Sequence, residues 1–286
     1  MQRNLLETVR FKGWGGVTLT ADAGGDPSGA AAVFLHGGGQ TRHAWRKAAA
    51  TLIGYGYYVV TLDLRGHGDS DWAPDGNYTL DAQAGDLLEV LKQLPSKPAV
   101  VGASLGGLIA LTALGEAAEN IASALILVDV TPKINPEGEA RVIGFMQAHP
   151  EGFATVDEAA QAVADYLPHR TRPSDTSGLR RNLRQHKDGR YYWHWDPNFF
   201  DTLDASPMKI QLRYDTAAKN IRVPTLLVRG ARSELVNEES VQHFLQLIPH
   251  ADYVDVKNAG HMVAGDSNDV ITHAVLNFLD QRSSMS

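Results

Sequence analysis

The chain has 286 residues, of which 43% are hydrophobic, and this is enough to bury a large core in one domain with an insertion. Its formal net charge of -7 at pH 7 disfavours a general nucleic-acid-binding surface, which requires a strongly basic balance. The sequence has 0 cysteines, which excludes disulfides, thiolate metal sites and a cysteine nucleophile.

The first residues of the sequence lack the apolar core of a signal peptide, and no apolar run approaches the roughly 20 residues that a membrane span requires. We therefore expect a cytoplasmic protein that interacts neither with a membrane nor with nucleic acid. A monomer or a homodimer is compatible with this composition.

Strands and helices alternate in the predicted secondary structure of most of the chain. Strands are predicted near residues 17–21, 31–35, 57–62, 98–102, 124–129, 223–229 and 251–256. Helices are predicted near residues 41–54, 79–94, 105–118, 238–248 and 267–280. This alternation predicts an α/β fold, in which a mostly parallel, twisted sheet is flanked by helices.

The alternation stops between about Thr131 and Ala218, where helix-like, proline-bounded segments predominate. These segments are Glu137–Gln147, Val156–Tyr166 and Leu179–His186. We interpret residues 132–218 as an inserted helical cap over the strand ends, where ligands bind in open α/β sheets. Residues 1–131 and 219–286 then form the core.

A candidate nucleophile lies between a predicted strand and a predicted helix, in the pentapeptide Gly102-Ala103-Ser104-Leu105-Gly106. The pattern Gly-x-Ser-x-Gly is typical of a nucleophile elbow, which exposes a serine hydroxyl above a sheet. Glycine is required at both ends because a side chain would crowd the tight turn. The motif predicts Ser104 as the nucleophile.

A second strand-loop-helix has small residues at its turn, His36-Gly37-Gly38-Gly39-Gln40. An oxyanion hole needs backbone N–H groups that no side chain shields, which gives these glycines a chemical purpose. We predict that the N–H groups of Gly38 and Leu105 form this hole. His36 is expected to support the loop through hydrogen bonds rather than to act as a base.

A third motif, Asp63-Leu64-Arg65-Gly66-His67-Gly68-Asp69-Ser70, follows the next predicted strand. The three motifs in this order closely resemble the α/β hydrolase fold family, from about Gly16 to Leu279. The resemblance implies a hydrolase that cleaves a small carboxylic ester, amide or lactone through an acyl-enzyme, with no cofactor and no metal. Serine at the elbow separates the chain from epoxide hydrolases and haloalkane dehalogenases, which use aspartate there.

The histidine of the implied catalytic triad is predicted to be His261. It lies on the loop between the last predicted strand and the last predicted helix, and the order Ser, acid, His is that of α/β hydrolases. His67 belongs to the Arg-Gly-His-Gly turn. The histidines other than His36, His67 and His261, with His194 among them, lack this placement and are expected to pack in the cap or to lie on the surface.

The acid has two candidates, Asp129 and Glu234. In most α/β hydrolases the acid follows the penultimate strand, but Ser233 occupies that position here and Glu234 comes next. Asp129 ends the preceding predicted strand. The patterns strand-Asp-x-Thr-Pro and Val-Arg-Gly-x-x-Ser-x-Leu-Val resemble the subgroup that contains 2-(acetamidomethylene)succinate hydrolase, which implies Asp129. Glu234 remains the alternative.

The cap is expected to select a small-molecule acyl substrate. Its segment 169–190 has seven Lys or Arg against two Asp, an excess that favours an anionic substrate. We name Arg42, Arg180 and Arg184 as candidate ligands of such a group, and Trp193 as a candidate wall of an apolar pocket. A solvated charged face and ordinary cap packing are the competing interpretations.

Two other uses of the same site stay open at this stage. A member of this fold can act as a ligand receptor, or its site can catalyse cofactor-free perhydrolysis or hydrolysis of a C–C bond. Analogy at the level of the fold does not separate these functions from ester hydrolysis.

Overall fold

The computed structural model describes residues 6–168, 176–202, 206–231, 233–256 and 268–283. The strands are Glu7–Lys12 (β1), Thr18–Gly24 (β2), Ala31–Leu35 (β3), Tyr58–Leu62 (β4), Ala99–Ala103 (β5), Ala124–Val128 (β6), Leu183–Gln185 (β7), Tyr191–Trp193 (β8), Thr225–Gly230 (β9) and Asp252–Val256 (β10). The α-helices are Arg46–Gly54 (α1), Leu80–Lys92 (α2), Leu105–Glu116 (α3), Pro136–Gln147 (α4), Val156–Tyr166 (α5), Pro207–Asn220 (α6), Glu238–Leu247 (α7) and Asn268–Ser283 (α8).

The central sheet has 8 strands in the order β1-β2-β4-β3-β5-β6-β9-β10. The strands from β4 to β10 in this order run parallel, whereas β1 and β2 pair antiparallel at one edge. The predicted α/β fold with a mostly parallel sheet is confirmed. The prediction missed β1 because its short, polar sequence ETVRFK has little buried surface and forms the edge of the sheet.

Apolar side chains cover both faces of the sheet. On one face the core includes Leu87 of α2, Ile109 of α3 and Phe244 of α7, and on the other it includes Leu52 of α1 and Ile271 of α8. Two buried faces explain why the central strands are continuous apolar runs rather than alternating ones. The rigid core fixes the strand ends on which the site is built.

The cap contains α4, α5, a 3₁₀ helix at Ser177–Asn182 and the antiparallel pair β7-β8. The predicted helix at Leu179–His186 is therefore wrong beyond Asn182. A turn with Gly189 in the left-handed region (φ 83°) reverses the chain, and it lets Leu183 pair with Trp193 in the cap core. This hairpin depends on pairing across the turn and on packing in the cap core. The local helical pattern of the segment therefore predicts the wrong secondary structure for its second half.

Helix α6 crosses the expected boundary between cap and core at residues 218 and 219. A Cβ on Gly115 of α3 would lie 2.2 Å from the backbone oxygen of Ala217, so the two helices pack backbone to backbone. The C-terminal half of α6 therefore belongs structurally to the core. Among the described residues, no helix is both long enough and apolar enough to cross a bilayer.

Candidate active site

Ser104 lies at the sharp turn between β5 and α3. Its backbone has φ 48° and ψ -120°, a conformation that side-chain-bearing residues rarely adopt. A Cβ on Gly102 would lie 2.5 Å from the backbone oxygen of Gly106, and a Cβ on Gly106 would lie 2.6 Å from that of His36. The two glycines of the motif are therefore required by backbone contacts on both sides of the turn.

The loop of residues 36–40, which we call the oxyanion loop, lies against this turn. A Cβ on Gly37 would be 3.3 Å from the Cβ of Ser104. A Cβ on Gly38 would be 3.9 Å from Cδ2 of Leu105 and 3.1 Å from Sδ of Met146. The fold thus brings the two predicted oxyanion-hole residues next to each other and next to the serine.

Asp129 follows β6, the strand beside β5, and its side chain is buried. Its backbone is in the left-handed region (φ 53°), and its N–H donates to the Val228 oxygen at 2.7 Å. Oδ1 accepts a hydrogen bond from the N–H of Gly230 at 3.0 Å, and Oδ2 accepts one from the Ser233 hydroxyl at 2.7 Å. The carboxylate is therefore held at the sheet end next to the elbow.

Glu234, the alternative acid, points elsewhere. Its carboxylate is 55% exposed and forms an ion pair with Arg141 of α4. Arg141 also donates to the backbone oxygen of Tyr166 at 2.7 Å. These contacts place Glu234 at the surface between core and cap. The predicted base, His261, lies outside the described residues.

Arg42 has a different environment from that expected of a substrate ligand. It is buried, and its guanidinium forms ion pairs with Asp63, with Asp22 at 3.0 Å and with Asp69 at 2.8 Å. Burial lowers the pKa of Arg42, but the charge of Asp63 and its other acidic partners raise it further, so the net pKa is raised. Arg42 thus pairs with three carboxylates of the core, and it is not among the described residues that line the cavity.

The other three candidate substrate-binding residues belong to the cap and divide into two groups. The guanidinium of Arg184 donates to the Gly68 oxygen and lies 4.9 Å from the Trp72 ring, and that of Arg180 lies 5.9 Å from the Tyr191 ring. Neither arginine is among the described residues that line the cavity. Trp193 does line it, as expected of an apolar wall.

The cavity has a volume of about 330 Å³ and lies between the core and the cap. Its lining includes Ser104 and the oxyanion loop. Apolar cap and core residues line most of the rest, namely Val128, Val142, Phe145, Met146, Val163, Leu167, Leu179, Trp193 and Trp195. Its polar lining includes Gln40, Thr41, His43, Tyr166, Arg181 and Asn182.

Three residues near the site were not foreseen from the sequence. Arg181 and Asn182, which line the cavity, belong to the 3₁₀ helix, whose position depends on the cap fold and leaves no local signal. His194 was expected to pack in the cap or to lie on the surface; it is buried, and its ring also accepts a hydrogen bond from the N–H of Gly68 in the core at 2.8 Å. Within the described ranges, no group of acidic and histidine side chains has the arrangement of a metal site.

A mostly parallel sheet with a strained serine at the end of its middle strand and an inserted cap defines an α/β hydrolase. The model of the α/β hydrolase fold family matches residues 32–267, and the chain belongs to this family of hydrolases.

Several characterised proteins are similar to the chain. It is 30% identical over 269 residues to esterase Rv0045c of Mycobacterium tuberculosis, across 87% of this chain and 83% of that protein. It is 28% identical over 234 residues to 2-(acetamidomethylene)succinate hydrolase of Mesorhizobium japonicum, across 78% and 79% of the two chains. The solved structure of E-2-(acetamidomethylene)succinate hydrolase has a TM-score of 0.82 at 23% identity, covering 96% of this chain and 99% of that one, a likeness in fold.

Proposed function

We propose that the chain is a serine hydrolase that cleaves small carboxylic esters through an acyl-enzyme, with Ser104 as nucleophile, His261 as base and Asp129 as acid. The single observation that carries this proposal is the position of Ser104. It lines the cavity at a strained turn beside the glycines of the oxyanion loop. The relationship to an esterase over most of both chains supports the ester as the bond cleaved.

In the proposed reaction, His261 removes the hydroxyl proton of Ser104 while the oxygen attacks the acyl carbon. The N–H groups of Gly38 and Leu105 donate to the oxyanion of the tetrahedral intermediate. His261 then protonates the leaving alcohol, and the acyl group remains on Ser104. A water molecule, deprotonated by His261, attacks the acyl carbon and releases the carboxylic acid. Asp129 holds the imidazole and stabilises its charged form throughout.

The cavity lining supports a substrate with an apolar portion. Phe145, Met146, Trp193 and Trp195 contribute apolar surface to the cavity that Ser104 lines, and its volume of about 330 Å³ accommodates a small acyl group. Arg181 is exposed at the rim and is the candidate contact for an anionic substituent. It replaces Arg42 in that role.

The proposal is tested by labelling the protein with a fluorophosphonate and by assaying chromogenic esters of increasing acyl length. We expect labelling of Ser104, loss of labelling in Ser104→Ala, and turnover that declines once the acyl chain exceeds the cavity. A protein that binds these esters saturably, without labelling or turnover, would be a receptor instead. Comparing neutral esters with esters that carry a carboxylate, in the parent and in Arg181→Met, tests the anionic substituent.

A further inference from the structure

We propose that His36, His67 and His194 are positioning residues that fix three successive peptide units of the oxyanion loop. One of the three histidines comes from the cap, so the cap contributes to the shape of the oxyanion hole. This inference rests on the proposed function, because it assumes that Gly38 donates to the oxyanion.

His36 holds the peptide unit that contains the Gly38 N–H. Its Nδ1–H donates to the oxygen of Gly37 at 2.8 Å, while its Nε2 accepts a hydrogen bond from the N–H of Leu64 at 3.1 Å. The peptide bond is planar and trans, so fixing the Gly37 carbonyl also fixes the direction of the Gly38 N–H, which points the opposite way.

His67 holds the next peptide unit, between Gly38 and Gly39. Its Nε2 accepts a hydrogen bond from the N–H of Gly39 at 3.2 Å, and its Nδ1–H donates to the oxygen of Arg65 at 3.2 Å. Gly38 therefore lies between two peptide planes, each of which is held by a different histidine. Because both flanking peptide planes are held, the φ and ψ angles of Gly38, which are otherwise freer in glycine than in other residues, are restricted.

His194 holds the third peptide unit, between Gly39 and Gln40. Its Nε2–H donates to the oxygen of Gly39 at 3.3 Å, and its Nδ1 accepts a hydrogen bond from the N–H of Gly68 at 2.8 Å. His194 follows β8 in the cap, and the N–H of Asp196 two residues later donates to the Gly66 oxygen at 2.9 Å. The cap segment is thus bonded to two core loops at once.

The three rings form one buried cluster, here called the histidine cluster. Their exposed fractions are 0%, 0% and 2%, and the ring centroids of neighbours are 5.3 Å and 5.8 Å apart. Each ring has a backbone donor at one nitrogen and a backbone acceptor at the other. Only a neutral imidazole satisfies both partners, because it offers one acceptor and one donor on opposite sides of a rigid ring.

Simple packing does not require this pattern. The edge of Phe199 packs on His67 with ring centroids 5.0 Å apart, and a phenylalanine or leucine would fill such a space equally well. Leaving any buried backbone group without a partner costs free energy, so a loss of stability alone does not identify the bonds that matter for catalysis. The proposal differs from packing because it names the bonds that affect catalysis, namely those to Gly37 and Gly39.

Matched amide variants separate the two bonds of each ring. In His194→Asn the side chain can still accept from Gly68 but no longer reaches Gly39, whereas His194→Gln places its amide where Nε2 was and keeps the bond to Gly39. His67→Asn likewise keeps a partner for Arg65 and loses Gly39, and His67→Gln keeps Gly39. The readouts are kcat, KM, melting temperature and inhibition by a trifluoromethyl ketone, which forms an oxyanion adduct with a catalytic serine.

We expect both Asn variants to lose about tenfold or more in kcat, a smaller loss than the removal of a whole oxyanion donor, with KM nearly unchanged. Affinity for the ketone should fall by the same factor. Both Gln variants should keep most of the activity, although all four lose one buried bond and melt at similarly lower temperatures. Equal kcat in Asn and Gln variants of similar stability would overturn the proposal.

A measurement on the unsubstituted protein tests the proposal even if a variant does not fold. Nitrogen-15 NMR of the histidine rings should find His36 and His67 protonated at Nδ1 and His194 at Nε2. Any other tautomer in these rings would contradict the bonds on which the proposal depends. If the parent protein forms no ketone adduct and is not labelled at Ser104, the proposed function itself fails, which is a different result.

Discussion

The hydroxyl of Ser233 donates a hydrogen bond of 2.7 Å to Oδ2 of Asp129. The same hydroxyl oxygen accepts hydrogen bonds from the N–H groups of Leu235 at 3.2 Å and Val236 at 3.1 Å, which orient its proton toward the carboxylate. Ser233, at the position where most α/β hydrolases have the acid, thus holds the carboxylate of Asp129, the residue that follows the neighbouring strand β6.

This arrangement predicts different effects for the two candidate acids. Asp129→Asn keeps the shape but removes the charge, and an amide stabilises the wrong imidazole tautomer, so we expect kcat to fall by roughly 10⁴. Glu234→Gln only weakens an exposed ion pair with Arg141 and should leave kcat within about twofold, because such pairs contribute little. Assaying both variants on one ester decides between them. A severe loss in Glu234→Gln alone would reverse the assignment.

Substitutions of Ser104 separate chemistry from backbone strain. Ser104→Ala and Ser104→Gly should both lose on the order of 10⁴ to 10⁶ in turnover, because the nucleophile is gone. Only the glycine variant relieves the φ 48° conformation, a strain of about 1–3 kcal/mol. Urea unfolding should therefore find Ser104→Gly more stable than Ser104→Ala, contrary to the usual cost of glycine. Turnover within tenfold of the parent in either variant would exclude the mechanism.

The oxyanion loop is tested by Gly38→Val. A Cβ at this position would lie 3.1 Å from Sδ of Met146, and a branched side chain would displace the loop or obstruct the acyl oxygen. We expect turnover of small esters to fall by roughly 10² or more, the scale of losing one donor. The control is Gly144→Ala in α4, where a Cβ meets nothing within 4 Å and activity should not change. Full activity in Gly38→Val would place the oxyanion hole elsewhere.

Arg42 is predicted to affect stability rather than substrate binding. Arg42→Met leaves the Asp63 carboxylate, which is 0% exposed, without its cation, and breaking a buried pair costs about 3–5 kcal/mol. Arg180→Met removes an exposed cation and should change the free energy of unfolding by less than about 0.5 kcal/mol. Chemical denaturation measures both. A stable Arg42→Met variant with a raised KM for anionic esters would restore the substrate-binding interpretation.

The histidine cluster predicts how stability depends on pH. Burial lowers the pKa of His36 to about 4 and that of His67 to about 3, and it lowers the pKa of His194 well below its ordinary value. Between the folded values and the unfolded value near 6.5, the unfolded chain binds more protons than the folded one. The contribution of these three histidines to the free energy of unfolding is therefore fully present above about pH 6.5 and is lost as the pH falls toward 4.

The pH dependence is measured as the free energy of unfolding at several pH values from 7.5 to 4.5. His194→Gln should have a shallower slope than the parent, because one of the three groups no longer titrates. His186→Gln, a substitution of an exposed cap histidine outside the histidine cluster, is the matched control with which the slope of His194→Gln is compared. Parallel slopes in the parent and in His194→Gln would contradict the prediction.

Local signals predicted the parts of the fold and site that local backbone geometry determines. Gly102 and Gly106 identify the elbow because no other residue fits those turns, and apolar runs identify the central strands. The hairpin of β7 and β8 depends on pairing across Gly189, and the bonds of His194 depend on how the cap sits on the core. Neither relationship has a local sequence pattern, so neither could be predicted before the three-dimensional structure was known.

Asp63 connects the segment that follows the oxyanion loop to the Asp63–Ser70 turn. Its carboxylate accepts hydrogen bonds from the N–H of Arg42 at 2.6 Å and from that of Asp69 at 2.9 Å, and a Cβ on Gly68 would lie 2.2 Å from it. An exchange of residues 36–42 with those of a relative would therefore leave mismatched partners in the Asp63–Ser70 turn. In protein engineering, the two segments should therefore be exchanged together. Substitutions selected in one segment alone are limited by its hydrogen bonds to the other.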